Sequence, residues 1–363
     1  MTLFHWYRAQ TYVPGHVERR SSSPWRETQS PGRVLVIRFH AIGDVALVLP
    51  ACLALRRRYP DARIDLLTSP EAAPLGKAIQ LFDSVFTVDQ RANRFKTWST
   101  PFSVGRRLRL EQYHVVLDLQ RNWKTRWIRR LAHARSWGEF DRLGMLPACD
   151  RTIVTFREAG FHDLVPLFDP QFTPGALRSA ESLLQAHGWH PGVQLVLLNP
   201  AGLWETRNWP LENYAEFARQ WEKGNGAKFL LIGTERLHNA SRYFAERIGS
   251  RLIDLSERTS LDVAFALLSF VDLLVTEDSG LMHMGWCLGK PVVALFGSSR
   301  HYWSLPTGEH VRAFHSGDLP CGACMQASCK YGDNRCLTRI SPDAVVRAAR
   351  EFMKARCMEQ RVR

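Results

Sequence analysis

The chain has 363 residues, enough for two domains with sizeable cores. Its 45% hydrophobic and 23% charged content is that of a soluble globular protein, and no uncharged apolar run approaches the ~18 residues of a transmembrane helix. The formal charge of +13, from 48 Lys and Arg against 35 Asp and Glu, favours an anionic partner: nucleic acid, a phosphorylated glycolipid or an anionic membrane.

Residues 1–32 mix aromatics (Phe4, Trp6, Tyr7, Trp25) with arginines and show no period. They are expected to form a disordered tail, the alternative being an arm on a membrane surface. No apolar stretch here resembles a secretory signal, so a cytoplasmic location is expected. A buried strand is predicted at 34–37. It runs through Arg38, His40 and Gly43 to Asp44, and a helical segment follows to Arg58, with Pro50 either near its start or kinking it. The G-x-G-x-x-G fingerprint is absent, which argues against a dinucleotide cofactor. Asp44, at the helix start, suits a cap or a catalytic base.

Further strands are predicted at 63–68, 84–88 and 114–119, alternating with helical segments, which implies a parallel sheet. No acid occurs from Gln120 to Trp137. Arg121, Lys124 and Arg126 open that basic segment and suit acceptor phosphates, whereas Arg129 and Arg130 fit a solvated helix face. The domain boundary is placed between 160 and 192, giving a first Rossmann-like domain at 33–175 and a second at 176–340.

In the second domain, strands are predicted at 194–199, 228–232, 252–255, 271–276 and 291–296. The loop after the first of them carries Arg207. Ser279 and Gly280 stand at a helix N-terminus, whose free N–H groups suit a phosphate, and Gly280 admits close approach of a ligand. Asp278 would repel a phosphate and makes better sense against sugar hydroxyls; alternatively Asp278, Ser279 and Gly280 are only a capped helix start. No D-x-D occurs in the chain, so a sugar transferase built this way would neutralise its leaving diphosphate with helix N-termini and Arg207. Residues 341–363 form a capped C-terminal helix and tail. Of eight cysteines, Cys321, Cys324, Cys329 and Cys336 cluster as C-x2-C-x4-C-x6-C, a spacing that suggests a structural zinc more than disulfides, with free thiols as the alternative.

Four stretches, together and in this order, resemble glycosyltransferase family 9, the ADP-heptose:lipopolysaccharide heptosyltransferases: Val34 to Pro50, Asn199 to Pro210, Glu277 to His283, and Pro291 to Ser299. The resemblance implies a GT-B fold, two Rossmann-like domains with parallel sheets facing a central cleft, acceptor on the first and donor on the second. It implies transfer with inversion and no required metal. Asp44 would be the general base and Arg207 the stabiliser of the leaving diphosphate. Ser279 and Gly280 would bind phosphate, Asp278 the donor sugar, and His283 would support the loop. Thr234, Glu235 and Thr259 match places lining the nucleoside pocket. Lys124 matches a basic acceptor-side residue, in a region with His40, Gly43 and Arg121. His40, Glu277 and Trp286 depart from the family pattern. The expected partners are ADP-heptose, a lipid-linked anionic glycan and the cytoplasmic face of the inner membrane, and no nucleic acid. The rivals are a related transferase using another nucleotide sugar, and a non-catalytic basic protein binding nucleic acid or membrane. No helix-turn-helix, RNP or zinc-finger pattern favours the last.

Overall fold

The structure is a computed structural model describing residues 24–25, 30–89, 94–222 and 226–362, with 94–100 and 356–362 described by backbone alone. The tail expected at 1–32 lies outside these residues except for Pro24, Trp25 and 30–32. Trp25 is docked: its N–H donates to the Ala159 carbonyl at 2.8 Å, and its ring meets His114 edge-on. The chain divides into two compact units between Thr173 and Pro174. Among the described residues no helix is long and apolar enough to cross a membrane.

The first unit holds a parallel sheet in the order β3-β2-β1-β4-β5, formed by β1 (Arg33–Ile37), β2 (Arg63–Thr68), β3 (Ser84–Thr87), β4 (Val115–Asp118) and β5 (Ser136–Glu139). Its helices are α1 (Ile42–Ala46), α2 (Leu49–Arg58), α3 (Ala73–Lys77), α4 (Arg94–Arg109), α5 (Trp123–Ala132) and α6 (Ala148–Glu158). The helical segment expected from Asp44 to Arg58 is two helices, and Pro50 lies in the first turn of the second, where its missing N–H costs nothing. The sequence reading missed β5, because Ser-Trp-Gly-Glu carries no apolar run. Gly138 serves packing there: a Cβ at this position would meet the Thr155 carbonyl oxygen at 2.7 Å, so glycine lets α6 lie close to the sheet.

The second unit holds a parallel sheet in the order β11-β10-β9-β6-β7-β8. Its strands are β6 (Leu195–Asn199), β7 (Lys228–Leu231), β8 (Leu252–Asp254), β9 (Leu273–Glu277), β10 (Val292–Phe296) and β11 (Val311–His315). The edge strand β11 was not foreseen, since its alternation of apolar and basic residues follows no buried run. The helices are α7 (Pro174–Ala186), α8 (Leu211–Glu222), α9 (His238–Ile248), α10 (Leu261–Leu267), α11 (Gly280–Cys287), α12 (His301–Ser304), α13 (Arg335–Thr338) and α14 (Pro342–Val362). Trp209 and Tyr214 meet edge-on with centroids 4.9 Å apart, and Trp209 Nε1 donates to the Ile340 carbonyl at 2.9 Å. This fixes the end of the 200–210 loop to the core.

Strand order decides where ligands bind. In open α/β sheets the crevice lies beyond the strand C-termini, where chain direction across the sheet reverses. That point falls between β1 and β4 in the first unit and between β6 and β9 in the second. The segments that follow these four strands carry Asp44, in the first turn of α1, and Arg121, Arg207 and Asp278.

Candidate active site

In the first unit β1 ends at Ile37 and delivers Arg38 into the crevice. Arg38 is buried, and its Nη2 contacts Asp44 Oδ2 at 2.9 Å. The same oxygen accepts the Ala41 N–H at 2.9 Å, so Asp44 does cap α1. Both contacts fall on Oδ2, while the side chain stays 38% exposed; among the described residues no hydrogen bond is made by Oδ1. Capping and proton acceptance are therefore compatible. Arg38 itself is held by the Leu119 carbonyl and lies 4.9 Å from the Phe140 ring. Gly43 is buried within α1, and His40 is exposed on the loop, its N–H 3.3 Å from Gln120 Oε1.

Asp118, at the end of β4, accepts the N–H groups of Gln120 and Arg121 at 3.2 and 2.9 Å. Burial pushes its carboxyl up to about 6. The left-handed Arg121 (φ 46°) turns the chain into α5. Its guanidinium lies 3.6 Å from Glu139 and 3.7 Å from Asp141, so an acceptor phosphate would compete there with two carboxylates. Lys124 is half-buried, its Nζ 5.8 Å above the Trp123 ring. Arg129 does not sit on a solvated face. It is buried, ion-paired to Glu139 and stacked 3.5 Å over Trp137. The acid that draws it inward lies on β5, outside the local basic segment.

In the second unit the loops after β6 and β9 are knitted together by Glu277. This fully buried carboxylate accepts the Gly202 N–H on Oε2 and the Trp209 N–H on Oε1, each at 2.6 Å. Burial pushes it up to about 8, against the pull of these donors and the Tyr214 hydroxyl. Asn199 spans the same gap, donating to Thr276 Oγ1 at 2.7 Å and Ser279 Oγ at 2.6 Å. The loop so held carries Arg207, whose Nη1 lies 3.6 Å from Asp278 Oδ2 and whose guanidinium stacks 4.0 Å over Trp204. Glu205, the partner that sequence proximity suggests for Arg207, instead accepts from Asn334 at 2.7 Å. Ser279 caps α11, its Oγ accepting the Met282 N–H at 3.4 Å, and Gly280 begins that helix. His283 is buried within it. Thr234 and Glu235 are exposed after β7, and Thr259 is half-buried after β8, all on the C-terminal side of the same sheet.

The β10 loop approaches Arg207's loop so closely that only glycine fits. A Cβ on Gly297 would meet the Thr206 carbonyl oxygen at 2.1 Å, and Ser298 N–H donates to that oxygen at 3.0 Å. Gly297→Ala is expected to cost about 1–3 kcal/mol through overpacking, measured by urea denaturation.

Cys321, Cys324, Cys329 and Cys336 line one pocket of about 180 Å³ beside Thr206 and Ser298. Among the described residues no group of three or more His, Cys, Asp or Glu is arranged to hold a metal ion, so the zinc expected from their spacing finds no support. Spacing brings these thiols to one pocket without converging them on one centre. Their loop braces the site: Thr206 Oγ1 donates to the Gln326 carbonyl, and the Met325 N–H donates to the Ser298 carbonyl at 2.9 Å.

The profile of glycosyltransferase family 9 (heptosyltransferase) matches residues 102–334, most of the chain. The chain belongs to glycosyltransferase family 9. It is 22% identical to lipooligosaccharide heptosyltransferase 2 of Campylobacter jejuni, over 86% of this chain and 96% of that one. It is 24% identical to lipopolysaccharide heptosyltransferase 2 of Escherichia coli, over 77% and 87%. The family 9 glycosyltransferase of Veillonella parvula superposes with a TM-score of 0.75 at 22% identity, covering 89% of this chain and 97% of that one. The E. coli ADP-heptose heptosyltransferase II superposes at 0.68 and 20% identity, covering 89% and 99%. The fold is that of the GT-B glycosyltransferases, with two parallel-sheet α/β units. This family 9 enzyme is a glycosyltransferase.

The sequence reading missed Arg38, Asn199 and the role of Glu277. A carboxylate ending an otherwise apolar strand is the signal for Glu277, whose position alone marks it as a departure from the family pattern.

Proposed function

We propose that this glycosyltransferase moves a heptose from ADP-heptose to a hydroxyl of a lipopolysaccharide core or related lipid-linked glycan, with inversion and without a required metal ion. The observation that carries the reading is the Arg207–Asp278 pair at the switch point between β6 and β9, beside Ser279 and Gly280 at the α11 N-terminus. A cation, a helix N-terminus and a carboxylate together suit a sugar diphosphate: the first two take the diphosphate and the third takes sugar hydroxyls. The named substrates of the relatives support the choice of sugar and acceptor.

In this reading the acceptor hydroxyl attacks the anomeric carbon. Its proton passes to the Asp44 carboxylate, and the bond from carbon to diphosphate oxygen breaks with its electron pair, releasing ADP. A carboxylate suffices as base because attack and proton transfer are concerted with departure of the diphosphate. Arg207 and the α11 N-terminus carry the charge that develops on the leaving group. Thr234, Glu235 and Thr259 border the nucleoside, and His283 supports the α11 loop. Lys124, His40, Gly43 and, in competition with its acids, Arg121 face the acceptor. Residues 33–175 thus serve the acceptor and 176–340 the donor. A lipid-linked acceptor puts the enzyme at the cytoplasmic face of the inner membrane.

Calorimetric titration with ADP, UDP, GDP and CMP, without added metal, tests the donor. Selective ADP binding is expected, weakened about 10- to 100-fold in Arg207→Ala, since a charge-assisted hydrogen bond contributes about 1.5–3 kcal/mol. Preference for another nucleotide would replace ADP-heptose with a different donor. Failure to bind any of them, or ADP-heptose itself, would overturn the donor assignment altogether.

A further inference from the structure

The helices α4 and α5 contain nine Lys and Arg and no Asp or Glu. Gly105 lets them pack closely, because a Cβ there would meet the Leu131 side chain at 2.7 Å. The outcome is a shared outer face with one pattern on both helices. On α4 it shows Phe102, Arg106 and Arg109, and on α5 Trp123, Trp127 and Arg130, each set at i, i+4 and i+7. Phe102, Trp123 and Trp127 are 41%, 43% and 40% exposed, too much for core residues of a soluble surface. The Phe102 and Trp127 rings touch across the two helices, with centroids 5.3 Å apart. Arg130 lies 5.6 Å over Trp127, and Lys124 5.8 Å over Trp123. Leu110, just past α4, is 83% exposed.

We propose that this α4–α5 face docks on an anionic phospholipid surface, with Phe102, Trp123 and Trp127 entering the headgroup boundary and Arg106, Arg109 and Arg130 meeting lipid phosphates. Charge complementarity chooses the occupant. A face of aromatic rings alone would suit a protein partner or a second copy. Rings interleaved with cations, on helices without one acid, match the interface of an anionic bilayer, where aromatics settle at headgroup level and basic side chains meet the negative leaflet. Arg126 and Arg129 are turned to Glu139 and take no part. The inference rests on the proposed lipid-linked acceptor only for its biological sense. It places that acceptor's membrane against the first unit.

Vesicle flotation with the full chain tests it, using phosphatidylcholine with and without 30 mol % phosphatidylglycerol. Wild type is expected to float with the anionic vesicles only, and less as salt rises. Each cation at an anionic surface contributes about five-fold to partitioning, so Arg106→Glu with Arg130→Glu should lower it by at least about 30-fold. Phe102→Ser with Trp127→Ser should lower it roughly ten-fold. Both double variants should bind ADP like wild type in calorimetry. Wild type that binds ADP but ignores anionic vesicles overturns the membrane face and leaves the transfer reading standing. Undiminished flotation of both variants overturns it too. So does a sedimentation dimer that the Phe102 and Trp127 changes dissociate while flotation persists, since the face would then be an interface between copies.

Discussion

Glu277→Ala is expected to destabilise the second unit by about 2–6 kcal/mol, because it strands the Gly202 and Trp209 N–H groups in the interior at about 1–3 kcal/mol each. For a unit of this size the corresponding fall in Tm is roughly 10 °C, measured by calorimetry. Transfer should fail with stability, because the same bonds hold the loop that carries Arg207. Glu277→Gln should fall between: its carbonyl oxygen can serve one N–H, but its amide turns a donor toward the other. The charge predicts a pH signature as well. Burial raises the folded carboxyl from 4.5 to about 8, so between these values the native state holds a proton that the unfolded chain has lost. Stability should therefore decline as pH rises from about 4.5 to about 8, and the part of this slope above about pH 6, where the buried Asp118 no longer contributes, should vanish in Glu277→Gln. Urea titrations at pH 5.5, 7 and 8.5 measure it. A pH-independent difference between wild type and Glu277→Gln would show that the carboxyl stays ionised throughout.

Asp44→Asn is expected to lower kcat by about 10²- to 10⁴-fold, the usual contribution of a positioned general base. Asparagine can still accept the Ala41 N–H, so the α1 cap survives. What goes is the charge facing Arg38, which is buried although Asp44 is partly exposed, so the loss should cost about 1–3 kcal/mol, with the Leu119 carbonyl still holding the guanidinium. ADP affinity should be unchanged, since donor binding is assigned to the other unit. Steady-state transfer assays with calorimetry on the same preparation separate the two effects. A variant that transfers at nearly the wild-type rate removes Asp44 from the role of base and leaves it a cap.

The parallel sheets were legible because buried strands declare themselves as apolar runs. The runs 34–37, 63–68 and 291–296 are observed strands almost to the residue. The loops that bear Asp44, Arg207 and Asp278 were legible by resemblance, since the family's residues recur there in order. The short strands β5 and β11 were not, because an edge or glycine-containing strand needs only a neighbour to pair with and has no local signature. Charge pairing was the largest blind spot. Arg129 looked solvated because its helix has no acid, yet Glu139 on the next strand draws it into the core. Arg207 had Glu205 two residues away and turned to Asp278 on another loop. The cysteine spacing suggested a metal, and folding brought the thiols to one pocket without a ligating geometry.

The sequence by itself determined which segments are buried, that they alternate as strand and helix, and which family they belong to, because burial and resemblance are both written along the chain. Only the tertiary structure decided which carboxylate meets which cation and that Glu277 holds the Arg207 loop. Those contacts join loops that strand order, not chain order, makes neighbours.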